Sequence, residues 1–298
     1  MVFKRIIYKD QLTGERSFKM LKQVEITILS ENRVVKPSLI AEQGLSFHIA
    51  SPEGEFLFDT GHQNAFIENA KELRIDLSNV DQILFSHAHH DHTGGIYYYL
   101  QKYGNATIIC HYNIFNRKFR LYNNQRLEVG FPYEETDLKK MGAKFLYKTH
   151  PFHLSEHILS SGEIPRITEY EVPSEIHKEL VLESFITDEL NDEMAMIINT
   201  SQGLIVLLGD GHKGPVNTVK HAMSITDNQK VYAVMGGMKL EHASEEIIEK
   251  ITKGLLQINP EYIIPLHSTG FKAIHRFYHT FKDRLLLFNT GDKLTLTD

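Results

Sequence analysis

The sequence predicts an α/β protein in which two sheets pack face to face with helices outside. Three observations carry that expectation. Short apolar, β-branched runs recur along the 298 residues, punctuated by Gly, Asp and Asn. Several of these runs lead into a helical pattern. The strand-then-helix order appears in both halves, so each half is expected to give one sheet.

In the first half, strands are expected at about 24–29 ("VEITIL"), 44–51, 55–60 ("EFLFDT"), 82–87 ("QILFSH"), 107–112 and 144–149. A second set follows at 194–200, 204–210 ("LIVLLGD"), 230–236, 262–267 ("YIIPLH") and 285–296. Helical patterns lie near 63–74, 94–103, 214–225, 243–257 and 270–282. The clearest is "ASEEIIEKITKGLLQI", with Ile247, Ile248, Ile251 and Leu255 on one face and acidic residues in its first turn. Residues 1–23 read as an N-terminal extension, and 24–298 as one domain. Within it, the polar, irregular segment 113–143 reads as an insertion or lid.

Bulk composition bounds the function. With 42% hydrophobic and 23% charged residues, the chain has the profile of a globular protein with a large core. A net charge of −6 and the lack of a basic block argue against nucleic acid as a partner. One cysteine, Cys110, excludes an intrachain disulfide and fits a reducing compartment. No apolar run approaches the roughly 20 residues of a membrane span, and the N-terminus is too polar for a secretory segment. The expectation is a cytoplasmic protein with no membrane partner.

"SHAHHDHTGG", residues 86–95, places four histidines and an aspartate in six consecutive positions. Neighbouring imidazoles repel when protonated, so structure alone gives little reason for the crowding. In extended backbone His87 and His89 point to the same side and can grip one metal ion. Asp91 and His92 follow where the chain turns into a helix, within reach of a second ion.

This His-x-His-x-Asp-His run after an apolar strand resembles the motif of the metallo-β-lactamase-fold hydrolases. The resemblance implies a four-layer αββα sandwich with two metals at the rim between the sheets. In "FLFDTG" it makes Asp59 an acceptor for a ligand imidazole N–H. A two-metal site also needs ligands from the second half, where Asp210 and His212 ("IVLLGDGHKG") and His267 ("YIIPLHSTG") stand at strand ends. Over roughly residues 24–296, "AEQGLSFHI", "SGEIPR", "VMGGMKL" and similar runs narrow the resemblance to one subgroup. That subgroup contains a dihydropterin-type synthase that acts on a phosphorylated substrate. It commonly has Cys where Asp210 stands, His for Lys239, Cys for Ser268 and Tyr for His90. Asp210 is expected to bridge two ions, with His87, His89 and His212 completing one and Asp91, His92 and His267 the other.

Two such ions lower the pKa of bound water to about 7 and polarise a phosphoryl or carbonyl oxygen. Zinc is expected first, with manganese or iron as alternatives. Asp91 could also take a proton, and with Asp59 it forms the catalytic pair of candidates. Arg166, Lys213 and Lys239 are the candidate contacts to substrate phosphate, whereas Arg117, Lys118 and Arg120 read as polar surface. Histidines 48, 62, 177, 221, 242, 275 and 279 read as surface or core, and histidines 111, 150, 153 and 157 as minor ligand candidates. The expected function is a binuclear metal-dependent enzyme acting on a phosphorylated small molecule. It would either hydrolyse a phosphoester or release diphosphate in a condensation. The rivals are a non-catalytic metal-bearing ligand-binding protein and a nuclease of the same fold.

Overall fold

Alternation within single strands decides which faces meet. In β14 (Gly203–Leu208), Ile205 and Leu207 enter one core while Leu204, Val206 and Leu208 enter another. A strand apolar on both faces lies between two layers. The computed structural model describes residues 20–123 and 125–297, so residues 1–19 of the expected extension lie outside the described residues.

The first sheet contains β1 (Gln23–Ser30), β2 (Ser46–Ser51), β3 (Gly54–Phe58), β4 (Gln82–Leu84), β5 (Ala106–Cys110), β8 (Ala143–Tyr147) and β17 (Lys293–Thr297). They run in the order β17-β1-β2-β3-β4-β5-β8. The second contains β9 (Phe152–His153), β10 (Ile158–Ser160), β13 (Met196–Thr200), β14, β15 (Val231–Gly237) and β16 (Tyr262–Leu266), in the order β16-β15-β14-β13-β10-β9. Between the sheets lies a dry core in which Ile26, Phe47, Phe56 and Phe58 meet Met196, Ile198, Leu207 and Met235.

Helices α1 (Ala65–Glu72), α3 (Ile96–Tyr103) and α4 (Glu135–Lys140) cover the outer face of the first sheet, through Phe66, Ile96 and Leu138 among others. Helices α5 (Pro215–Thr226), α6 (Glu245–Ile258) and α7 (Phe271–Phe281) cover the second, with Val216, Ile248, Leu255 and Phe277 buried beneath them. Ser244 caps α6 by accepting from the Ile247 N–H, with Glu245 and Glu246 at its positive end. The result is the expected four-layer αββα sandwich.

Two expectations are corrected. The halves do not each give one sheet, because β17 crosses back to cover the edge of β1, pairing Gln23–Thr27 with Lys293–Thr297. Of the strand expected at 285–296 only this last part is regular. Its earlier residues turn, with the Asn289 N–H bonded to the Asp292 carboxylate.

The segment 113–143 is also more ordered than an irregular insertion. It forms the hairpin β6 (Lys118–Tyr122) and β7 (Gln125–Glu128), then α4. The hairpin pairs with β11 (His177–Val181) and β12 (Ser184–Thr187) in a third sheet, ordered β12-β11-β6-β7. Lys118 fastens that sheet to the body. Its buried ammonium bonds to Asp188 and Asp192 at 2.9 and 2.7 Å, and the other Asp192 oxygen accepts the Ala88 N–H. The Lys118 carbonyl accepts from Val129, whose own carbonyl accepts the His90 N–H. Among the described residues no helix is long and apolar enough to cross a membrane.

Candidate metal centre

Every expected ligand stands at the end of an apolar strand, or just beyond it, on the rim where the two sheets open. His87 and His89 follow β4, and α2 (His90–Thr93) is the single turn that carries Asp91 and His92. Asp210 and His212 follow β14, and His267 follows β16. Gly209 lets these strand ends close up, since a Cβ there would lie 2.1 Å from Ser86 Oγ.

The donors gather in two sets. His87, His89, Asp210 and His212 bring their ligand atoms within 4.8 Å of one another, and so do Asp91, His92 and His267. His89 Nδ1 faces His212 Nε2 at 3.2 Å, and His212 Nε2 lies 2.8 Å from Asp210 Oδ2. The other Asp210 oxygen is 3.8 Å from His267 Nε2, which lies 3.5 Å from Asp91 Oδ2. Asp210 therefore sits between the sets with one oxygen toward each.

Chemistry as well as distance marks the site as a cation bed. Nε2 of His87, Nε2 of His92 and Oδ1 of Asp210 are buried and make no hydrogen bond. Buried polar atoms without partners are rare and call for an explanation. Three imidazoles and a carboxylate on one side, two carboxylates and two imidazoles on the other, fit a pair of divalent ions that accept N and O donors.

The supporting shell fixes the imidazoles. Asp59, fully buried, accepts from the Ser86 N–H, from Ser86 Oγ and from His92 Nδ1, each at 2.7 Å. Holding the proton on Nδ1 leaves the lone pair of His92 on Nε2, facing the site. Burial opposes charge on His92, but Asp59 outweighs it and raises the imidazole to about 9, so a cation binding at Nε2 would displace a proton there. His267 is held by Asn32, whose Oδ1 is 2.8 Å from Nδ1, and by Glu31, which accepts its backbone N–H. Asp59, Lys239 and His267 all adopt left-handed backbone, with φ of 61°, 51° and 47°. Such strain at three non-glycine residues around one site is a mark of function. Burial opposes ionisation of Asp91 and Asp210, yet His267 beside the first and Lys239 beside the second hold both well below the usual carboxylate range.

A cavity of about 340 Å³ opens over this bed and is lined by Asp91, His212, Lys239 and His267. Of the expected phosphate contacts, Lys239 enters it with its ammonium 2.6 Å from Asp210 Oδ2. Arg166 also lines it, but Nη1 is committed to the carbonyls of Glu171 and His212 and Nη2 to that of Glu189. Lys213 is not among the lining residues: its ammonium bonds to Asn191 at 2.7 Å, and Glu193 ties down its backbone.

His177 differs from its expectation as an ordinary surface or core residue. It reaches the site from β11, with its ring 4.9 Å from that of His212 and 5.4 Å from that of His89. Burial, then His212 and Lys239, push its imidazole down to about 2, so it is neutral. The minor candidates stay apart: His111 bonds to Glu163, His157 to Glu53, and His150 and His153 are exposed.

A profile of the metallo-β-lactamase superfamily matches residues 39–185. The 7,8-dihydropterin-6-methyl-4-(β-D-ribofuranosyl)-aminobenzene-5′-phosphate synthase of Methanocaldococcus jannaschii is 31% identical over 263 residues, spanning 84% of this chain and 89% of that enzyme. The crystal structure of a metal-dependent hydrolase of the β-lactamase superfamily superposes with a TM-score of 0.79 at 24% identity, covering 92% of this chain and all of that one. Zn(2+)-bound PqqB from Methylobacterium extorquens follows at TM-score 0.55 and 10% identity, covering 91% and 99%. Profile, relative and fold agree, and the chain belongs to the metallo-β-lactamase superfamily.

Proposed function

We propose that the protein is a binuclear metal-dependent enzyme acting on a phosphorylated small molecule. The observation that carries this is Asp210, buried between two donor sets and bonded to a lysine that lines the cavity. His87, His89 and His212 would hold one ion, Asp91, His92 and His267 the other, and Asp210 both. Zinc fits these donors first, manganese or iron next. When bound, the ions supply Lewis acidity toward a substrate oxygen and make water more acidic.

The chain's own residues supply the rest. Asp59 keeps His92 in the tautomer that presents Nε2. Asp91, ionised and on the cavity wall, is placed to accept a proton from an attacking hydroxyl or water. Lys239 sets a positive charge beside Asp210, where it can meet a phosphoryl oxygen of the substrate. Arg166 holds the His212 loop from the cavity side through the His212 carbonyl. The name of the relative, a synthase of a phosphate-bearing pterin compound, supports a phosphorylated substrate. Phosphoester hydrolysis and diphosphate release in a condensation both use this arrangement.

Metal analysis of the purified protein, with a panel of phosphoesters and pterin diphosphates, tests the proposal. About two ions per chain and a turnover abolished by chelation are expected. Metal-loaded protein inert on the whole panel would favour a ligand-binding role.

A further inference from the structure

The third sheet turns an arginine and a histidine toward the cavity. Arg120 and His177 are directly opposite each other in the β6–β11 register, so their side chains share one face. Both line the cavity, together with Lys239. Lys118, two residues before Arg120 on that same face, is spent on Asp188 and Asp192. Phe119, on the other face, packs against Phe185.

Arg120 has no such use. Its Nε is buried and makes no hydrogen bond among the described residues, and the same holds for Nδ1 of His177. Other arginines nearby are committed: Arg117 makes a bidentate pair with Glu128, and Arg166 serves three backbone carbonyls. A buried guanidinium nitrogen left open on a cavity wall awaits an acceptor. The lining also includes apolar side chains, among them Tyr170, Val172, Pro173, Leu240, Ile247 and Ile251.

We infer that the cross-strand pair Arg120–His177 is a second anion-binding arm, holding phosphoryl oxygens in the cavity that Lys239 also enters. This rests on the proposed function and narrows it to substrates whose phosphoryl group is joined to an apolar or flat organic part. Arg120 offers its fork to two oxygens of one group, and His177, as a neutral imidazole, offers a single N–H.

Inorganic phosphate is the probe, titrated calorimetrically into metal-loaded protein. Arg120→Ala is expected to weaken phosphate binding by roughly 10–100-fold, the size of a charge-assisted bond. Arg120→Lys should restore part of that affinity, and His177→Gln should cost less than Arg120→Ala. Arg117→Ala, one residue before β6 and turned to solvent, is the control for damage to the sheet, and unfolding temperatures check all four variants. Phosphoester turnover by the parent enzyme with the same phosphate affinity in Arg120→Ala would overturn the arm and leave the function standing. No turnover, but phosphate binding that depends on Arg120, would support the arm and defeat the hydrolytic reading. Parent protein that binds no phosphate would overturn the arm.

Discussion

Asp59→Asn separates support of the metal bed from support of the fold. The side chain keeps its size, and asparagine tolerates the left-handed backbone that Asp59 adopts at φ 61°, so backbone strain is unchanged. What changes is the direction of hydrogen bonds. Asp59 accepts three, from the Ser86 N–H, Ser86 Oγ and His92 Nδ1. If the amide oxygen keeps the Ser86 N–H, the NH₂ group faces His92. The imidazole must then present a lone pair at Nδ1 and carry its proton on Nε2, the atom meant for the ion. The typical cost of disturbing such a support is about 10–100-fold in metal affinity or activity. That corresponds to about 1.4–2.8 kcal/mol. Affinity is read by competition with a chromophoric chelator, and rate on whichever phosphoester the parent turns over. Unchanged affinity and unchanged rate would refute the tautomer argument and reduce Asp59 to a turn residue.

Substitutions at three further residues follow from the same geometry. Asp210→Ser should lose at least one ion per chain by elemental analysis, whereas Asp210→Cys should partly restore binding and shift preference toward softer metals. Both ions retained in the serine variant would refute the bridge. Lys239→Ala should raise KM for phosphorylated substrates while leaving bound metal unchanged; an equal loss with uncharged esters would assign the lysine a structural role instead. Lys118→Met leaves two buried carboxylates without their cation, and urea unfolding should show a loss of about 3–5 kcal/mol. A loss no larger than about 1 kcal/mol, the scale of an exposed pair, would mean the triad contributes little.

The candidate donors were legible because they carry local signatures. His87, Asp210 and His267 follow apolar runs, and glycines come just after Asp210 and His267, a pattern of strand ends that turn. His177 had no such signature. It lies in "SEIHKEL", a polar stretch whose residue 177 is brought to the site by pairing with a strand some fifty residues earlier. Lys118 and Arg120 were hidden for a related reason. A lysine reads the same in sequence whether water or two buried aspartates surround it, and only tertiary pairing decides which. The crossing of β17 was equally silent, since an edge strand carries no mark of which edge it will cover.

The motif's two spacer positions carry a constraint that the spelling His-x-His-x-Asp-His conceals. Ala88 and His90 bind no ion, yet each gives its backbone N–H to the chain that leads to Lys118, one through Asp192 and the other through Val129. Both amides flank His89, so the wall bearing Arg120 is indexed to the metal bed through the peptide groups on either side of one ligand. The spacers are thus constrained through their backbone, and Ala88 by its full burial as well. Proline at either position, having no N–H to give, would uncouple substrate wall from ion bed at a single stroke.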